Sequence, residues 1–579
     1  MDITAEESKY VIGLDFGTTF SGIAVAARSS KDKIFIKEDW EAQTELVGGS
    51  YCKTITASLY HNGKLEGWGW PALLKYNKAV EGAIINQAKS GTHDPNKDVD
   101  LGGMELLERF KLLLAPEGTA KTALVLPKGL TKEKVVADYL ACVAEAGLTL
   151  LRKNFGDFIQ PEHVQWCLTV PAIWTNAAKV VMQKCAEQAG LLKTKTNPKG
   201  SPFPLIIVLE PEAASLYCQR NLEKELSLQD NEPYMVVDAG GGTVDLVVHE
   251  KRGEGLGELE MGSGGTCGGS YVDDNFFKFM AAKYPFFGKW AGIHKTGLDE
   301  LKRDWHTQKK LFKGSDESIL VRVPHSFLDM ARDEGVKEAF SKGSITVSGA
   351  EVAAIFEPVV EDILQLVRDQ LAKQPGCKTL LLVGGFAESD YLHDRIKAEF
   401  KAKIPVIVRP AQPGSAIIQG AVIFGFDPRR AILNRRSRKT YGIEIAEEFV
   451  ESRHDASKKF YEGSRAYCRN RFLKFVTVNQ DISVDEVVEH IVLPLSSTQS
   501  AVSITLYSTD QTDPEYVTDA GLHKESSIVM DLSQSSLGKK SQIVVSLSFG
   551  STSIEVKAKG GNFAAEDVKC EVTGHFEMH

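Results

Sequence analysis

The chain has 579 residues, 43% apolar and 25% charged, with a formal charge of −9, and its length argues for about three or four compact units. An acidic balance argues against general nucleic-acid binding, which needs a basic face, and no apolar run reaches the roughly 20 residues of a membrane helix. Nine cysteines stand singly, without Cys-x-x-Cys pairs or zinc spacing, and the opening MDITAEESKY is acidic and polar with no signal-peptide pattern. The expectation is a reduced chain in the cytoplasm, with the nucleus as a second address.

Taken in order, Tyr10–Ala27 reads as an apolar strand, an Asp-x-Gly-Thr-Thr turn and a second apolar strand. Residues 28–100 carry few signals. Gly67–Tyr76, with Trp68 and Trp70, reads as aromatic packing. Asp94, Asn96, Asp98, Asp100 and Glu105 fall at calcium-loop spacing, but Val99 stands where the sharp turn demands glycine, so a solvated acidic loop is expected. Glu105–Leu114 has helical apolar spacing and carries Lys111 among leucines, and Thr131–Lys153 reads as a long amphipathic helix. Gln165–Val170 as strand, Asn176–Ala189 as helix, then PLIIVLEPEAASLYC as strand entering helix at Glu210–Ala213 give an α/β alternation, with Lys193–Pro204 as a surface loop between the units.

Val236–Glu250, VVDAGGGTVDLVVHE, repeats the opening hairpin: Asp238 matches Asp15, and Gly240 matches Gly17. Here Gly240, Gly241 and Gly242 are expected to take φ > 0 and bring bare N–H groups against an anion. Asp238 offers a hard oxygen to a Mg²⁺ shell and Thr243 a hydroxyl to phosphate. Taken singly, each hairpin also admits the blander reading of an ordinary tight turn. The pair argues for an internally duplicated protein whose two phosphate hairpins face each other across a cleft.

Ser263–Phe277 is a second glycine-rich turn before a helix, a pattern that also binds anions. Residues 290–345 read as a basic helical subdomain (Lys302, Arg303, Lys309, Lys310, Lys313), and Gly349–Leu371 as a helix despite Pro358. Thr379–Phe400 is strand, Gly384-Gly385 turn and helix, where two glycines permit close approach of a flat ligand. Asp427–Lys439 is a basic run, read as a solvated linker, with contact to anionic lipid through Arg429–Lys439 as the minority reading. Beyond it Val502, Ile504 and Leu506, then Val545, Leu547 and Phe549, then Ile554 and Val556 alternate with polar residues, as in a β-sandwich.

LTVPAIW, LEPEAASLYC, DAGGGTVDL, LVGGFAES and YSTDQTDPEYVTDAG, in this order, resemble the 70-kDa heat-shock protein family of the actin-like ATPase superfamily, and within it the divergent type 12 branch. The resemblance spans nearly the whole chain. It implies an α/β fold: a duplicated, actin-like (ribonuclease H-like) two-lobed ATPase domain over 1–430, lobe I about 1–230 and lobe II about 231–430. A basic linker, 431–441, and a β-sandwich-like domain, 442–579, without an obvious helical lid would follow. It also implies ATP/ADP and Mg²⁺ as cofactors. Asp15, Glu210 and Asp238 would hold the metal's water shell. Gly17, Thr18 and Thr19 would cradle phosphate from one lobe, and Gly240, Gly241, Gly242 and Thr243 from the other. Lys111 would orient the attacking water, Gly384 and Gly385 would receive the adenosine, and Gly268 and Gly269 would line the cleft.

Several positions depart from the family. Glu388 stands where an arginine commonly stacks on adenine, and His306 where a glutamate is expected on a helix that keeps Lys309, so base and sugar recognition are the open part of the site. The linker is basic rather than acidic and leucine-rich, and the terminal GHFEMH lacks an acidic co-chaperone motif. No Gly-Lys pair is followed by Ser or Thr, so the Walker class is excluded. The expected function is that of an ATP-binding, slowly ATP-hydrolysing, chaperone-related stress-response protein whose lobe closure alters how the β-rich tail meets a protein partner. A nucleotide-binding scaffold with negligible hydrolysis is the second reading, and a small-molecule kinase is a remote third.

Overall fold

A computed structural model describes residues 8–47, 50–90, 101–114, 124–174, 176–222, 226, 228–314, 318–336, 340, 342–484, 486–496, 499–532, 542–549, 554–560 and 570–575. The acidic run Asp94, Asn96, Asp98 and Asp100 lies outside them. No helix among the described residues is long and apolar enough to cross a membrane. The chain divides into two compact units, Met1–Val248 with Gly262–Asp427, and His249–Met261 with Pro428–His579.

In the first unit the apolar strand Tyr10–Asp15 is central. It pairs antiparallel with Phe20–Ala27 on one side and parallel with Val164–Val170 on the other, and Ile206–Leu209 extends the parallel side. Phe35–Ile36 closes the antiparallel side. A second sheet repeats that order: Pro233–Ala239 lies between its hairpin partner Val244–Arg252 and the parallel strand Thr379–Val383, followed by Val406–Val408. Both central strands are buried along almost their whole length, which is why they read as continuous apolar runs rather than alternating ones. Residues 249–261, the far end of the second hairpin, belong to the second unit.

The helices read from the sequence form with one exception, but Gly69–Ser90 is a helix that the reading did not mark, and the 290–345 region read as helical also holds the antiparallel strands Ile319–Arg322 and Ser344–Val347. Lys132–Phe155 is capped by Thr131, and Gly349–Lys373 by a Ser348/Glu351 capping box that holds its start despite Pro358 inside. Glu105–Leu114 is not one helix. Met104–Glu108 is a strand paired with Ala57–His61, Arg109 takes a left-handed φ of 59°, and Phe110–Leu114 is a 3₁₀ turn. The leucines pack in both halves, so their spacing alone suggested a single helix. Trp68 meets Trp40 and Tyr139 edge-on, and Trp70 lies against Phe20, in keeping with the packing role read for them.

In the second unit a five-stranded sheet (Lys459–Glu462, Arg465–Val476, Thr440–Glu448, Ala501–Thr509, His523–Asp531) and a four-stranded sheet (Val487–Val492, Ile543–Phe549, Ile554–Gly560, Cys570–His575) share one core. Ile504, Leu506, Val545, Leu547 and Val556 meet in it, as the alternation of these strands requires.

The basic run is not a solvated linker throughout: Ile432–Arg436 is a strand, parallel to Gly255–Gly265 and antiparallel to Asp481–Ser483. Part of it is tied down by the buried Glu258, which pairs with Arg438, accepting from its Nη2 at 2.6 Å, and accepts from the Arg436 backbone N–H at 2.9 Å. Burial alone would raise the Glu258 carboxyl. Arg438 and the Arg436 N–H outweigh it and hold the group below its ordinary value. Breaking a buried pair leaves the surviving charge uncompensated. Glu258→Ala is therefore expected to destabilise the second unit by about 3 kcal/mol, seen in the full chain as an earlier proteolytic cleavage of the 428–579 segment and a lower melting transition.

Candidate functional site

The two glycine–threonine turns that join the central strands to their hairpin partners face each other at the closest distance that side chains allow. A Cβ on Gly241 would lie 2.1 Å from Thr19 Oγ1, and one on Gly242 would lie 2.6 Å from Thr18 Oγ1. That contact, not the backbone angle, is what demands glycine here. The expectation of φ > 0 at Gly240, Gly241 and Gly242 is not met, since none of the three is left-handed. Gly17 is required for a similar reason, because a Cβ there would sit 2.1 Å from the Phe20 carbonyl oxygen. Left-handed φ is confined to the third turn, at Gly384 (φ 90°), where a Cβ would come within 2.4 Å of Asp238 Oδ1.

The turn at Gly240–Thr243 is also tied to the helix Gly269–Lys283. Gly268, Gly269 and Ser270 donate their N–H groups to the carbonyls of Gly242, Gly240 and Gly241 at 3.3, 3.0 and 2.8 Å. The first N–H groups of this helix are thus spent inside the protein, which removes the anion-binding role suggested by the sequence for that helix start. Of Gly268 and Gly269, Gly269 lines the adjoining compartment of the cleft.

Beneath the turns lie the acids, in one cleft with Gly17, Thr243, Gly384 and Gly385. Asp15, at its strand end, accepts from Lys53 Nζ at 2.7 Å and from Thr169 Oγ1 at 2.8 Å. Burial opposes its charge, but Lys53, Lys111 and these hydrogen bonds together hold its carboxyl below the usual range. Glu210, first residue of the helix Glu210–Asn221, accepts from Lys111 Nζ at 2.7 Å. Burial nonetheless pushes Glu210 up to about 7. Among the described residues Asp238 has no ammonium partner and its Oδ1 is buried without a hydrogen bond, and burial, followed by the charges of Glu210, Asp245 and Asp15, raises it well above its ordinary value. Lys111 is boxed by the rings of Trp174 and Phe16 at 5.4 and 5.9 Å, so it does not snorkel to solvent.

Among the described residues no three His, Cys, Asp or Glu side chains come together as direct metal ligands. Of the three acids read as holding a metal's water shell, Asp15 has both oxygens engaged by Lys53 and Thr169, Glu210 is paired with Lys111, and Asp238 Oδ1 has no hydrogen bond among the described residues.

The adjoining compartment shares Thr19, Phe20, Tyr51, Gly241 and Gly385 with the first and adds Lys309, His306, Lys310 and Glu388. Asp273, one turn into the helix Gly269–Lys283, organises it, accepting from Lys309 Nζ at 2.6 Å and from Trp305 Nε1 at 2.8 Å, with His306 Nε2 at 3.1 Å. Burial works against its charge, and the contacts with Lys309 and His306 more than offset that, so the carboxyl stays far below its ordinary value. Asp273 thus brings a carboxylate against His306 and Lys309 from another helix. Glu388 is engaged by Lys310 at 3.1 Å, and Lys310 stands 5.0 Å over the Tyr51 ring.

Sequence reasoning named Asp15, Glu210, Asp238, Lys111, Lys309 and the glycines, and the fold gathers them. It missed Lys53, Tyr51 and Asp273 as cleft residues, and Thr169 as the buried hydroxyl that holds Asp15. Asp245, which sits inside the hairpin motif and is pushed up to about 6 by burial, could have been found from its spacing to Thr243. Lys53 and Asp273 carry no motif, and only the fold brings them in.

No family model matches the chain. It is 28% identical to human heat shock 70 kDa protein 12A over 629 residues, covering 95% of this chain and 89% of that protein, and 28% identical to its mouse counterpart over 626 residues with the same coverage. Human heat shock 70 kDa protein 12B matches at 28% over 632 residues, 95% of this chain and 88% of the relative. The chain is a relative of the type 12 heat-shock 70-kDa proteins. The likeness covers 95% of the chain and therefore extends into both units.

Proposed function

We propose that the chain is an ATP-binding, slowly ATP-hydrolysing protein of the heat-shock 70 type, built as a duplicated actin-like ATPase whose two halves, about 1–230 and 231–430, close on nucleotide. The observation that carries this reading is the pair of glycine–threonine turns meeting over a buried acid–lysine cluster in which Asp238 Oδ1 has no partner. An anion cradle lined by Thr18, Thr19 and Gly240–Thr243 suits phosphate, and Asp238 suits a hydrated Mg²⁺. Mg²⁺ and the triphosphate would supply the charge neutralisation and the leaving group of phosphoryl transfer to water. Lys111, fixed by Glu210, holds an ammonium in the cleft to steady a water and offset negative charge. Lys309 and Asp273 suit a ribose, and Gly384 and Gly385 a nucleoside.

Closure would alter how the β-rich second unit meets a protein partner, the chaperone-related part of the proposal. The eight cysteines whose side chains are described are free, which supports a reducing compartment such as the cytoplasm. A nucleotide-binding scaffold without turnover is the second reading, favoured by the engagement of Asp15 and Glu210 with lysines before any ligand arrives.

Calorimetry of Mg²⁺-ATP binding and single-turnover hydrolysis on the full chain distinguish the two. Binding with hydrolysis reduced at least about 100-fold in Lys111→Met, for a residue acting on developing charge, supports the ATPase. Binding without turnover in the unmodified chain supports the scaffold, and absence of binding overturns both.

A further inference from the structure

Lys53 stands on the short strand Lys53–Ile55, which pairs with Phe20–Ala27 so that Lys53 lies opposite Gly22. Its stem lies across that glycine, where a Cβ would come 2.9 Å from Lys53 Cγ, and its carbonyl accepts from Gln43 Nε2 at 3.2 Å. The backbone and stem are therefore fixed, and the side chain is only 7% exposed. Among the described residues its ammonium makes one hydrogen bond, to Asp15 Oδ2, so two of its three donors remain for whatever enters the cleft. The other Asp15 oxygen is taken by Thr169. A buried ammonium with donors to spare is costly unless an anion completes its shell, and the cleft it lines is the one holding Thr18 and Gly240–Gly242.

Resting on the nucleotide reading above, we propose that Lys53 is a resident cation of the phosphate cleft: it withdraws Asp15 from metal binding and donates to the polyphosphate itself, so nucleotide binding depends only weakly on divalent metal. Asp238, the acid left without an ammonium, then carries the remaining metal-dependent part. Lys53 is a binding and positioning residue here, and bond cleavage is not assigned to it.

The test is calorimetry of ATP binding to the full chain in excess Mg²⁺ and in EDTA. The unmodified chain is expected to lose no more than about tenfold in affinity when metal is removed, whereas Lys53→Met loses about 100-fold or more in EDTA and recovers much of it with Mg²⁺. Lys53→Arg, which keeps the charge, should behave as the unmodified chain. Asp15→Asn with Lys53→Met removes both members of the buried pair, so it guards against misfolding, and it should show the same strong metal dependence. An equal metal dependence in all four chains overturns the proposal and leaves Lys53 a structural partner of Asp15. Strictly Mg²⁺-dependent binding by the unmodified chain also overturns it while the nucleotide reading stands. No binding under either condition removes both.

Discussion

Gly420→Ala is expected to destabilise the first unit by about 3 kcal/mol, the upper part of the range for overpacking, and to lower nucleotide affinity with it. A Cβ at Gly420 would fall 1.8 Å from the carbonyl oxygen of Ala213 and 2.3 Å from its carbonyl carbon. The obstacle is backbone, so no side chain can rotate away. The helices Ala416–Phe426 and Glu210–Asn221 must separate instead. Alanine's better helix propensity returns at most about 1 kcal/mol, too little to offset that. Because Ala213 lies one turn from Glu210, the displacement also reaches the Lys111 pair. Gly82→Ala is the control: it lies inside the helix Gly69–Ser90 with nothing within 4 Å of the added carbon, and it should be neutral or stabilising. Thermal melting of the two variants, side by side with ATP titration, checks both outcomes. Equal melting temperatures would mean that the helices part without cost.

The second large effect is a fall in the stability of the nucleotide-free protein as pH rises from about 4 to about 7. Burial pushes Glu210 up to about 7 and Asp245 up to about 6, and raises Asp238 well above its ordinary value. The ordinary values of these groups in an unfolded chain are 4.5, 3.8 and 3.8, so over this window the folded chain holds protons that the unfolded chain has released. The stabilisation is complete below the unfolded values and is lost as pH passes the folded ones. At about 1.4 kcal/mol per unit of difference, the loss is on the order of a few kcal/mol. Asp15 has the opposite sign, since its lowered value gives stability that is present above 3.8 and lost below, so it is already complete in the upper part of the window. Melting temperature measured from pH 5 to 8 without nucleotide should decline, and Asp238→Asn, which removes one of the crowded charges, should flatten the decline. A melting temperature that rises over that range would contradict the burial argument.

The two hairpins were legible because a strand buried on both faces leaves an unbroken apolar run, and because an acid followed by glycines and threonine breaks that run in the same way twice. The long helices Lys132–Phe155 and Gly349–Lys373 were legible from their caps and periodicity. Glu105–Leu114 was not, since the left-handed Arg109 that divides it is set by tertiary packing and leaves no mark in the pattern. The reason for the three glycines was also hidden. Left-handed φ is a local property, whereas the contact of Gly241 with Thr19 exists only once two distant turns have met. The same holds for the basic run, read as solvated because Glu258, its counter-charge, is remote in sequence, and for Lys53, an isolated lysine in a short strand.

The three hydrogen bonds from Gly268–Ser270 to the carbonyls of Gly240–Gly242 weld a turn to the start of a helix. That helix has 15 residues and therefore reaches about 22 Å. Turn and helix must move as one lever with its short arm at the phosphate cradle: a tilt of about five degrees at the turn displaces the far end, near Lys283, by about 2 Å over that length. Along the arm sit Asp273, which grips Lys309, and Asp274, which meets Arg109 two residues before Lys111. Under the nucleotide reading proposed above, a sub-ångström shift of the turn would be carried, amplified, to the Lys283 end of this helix without any loop having to refold.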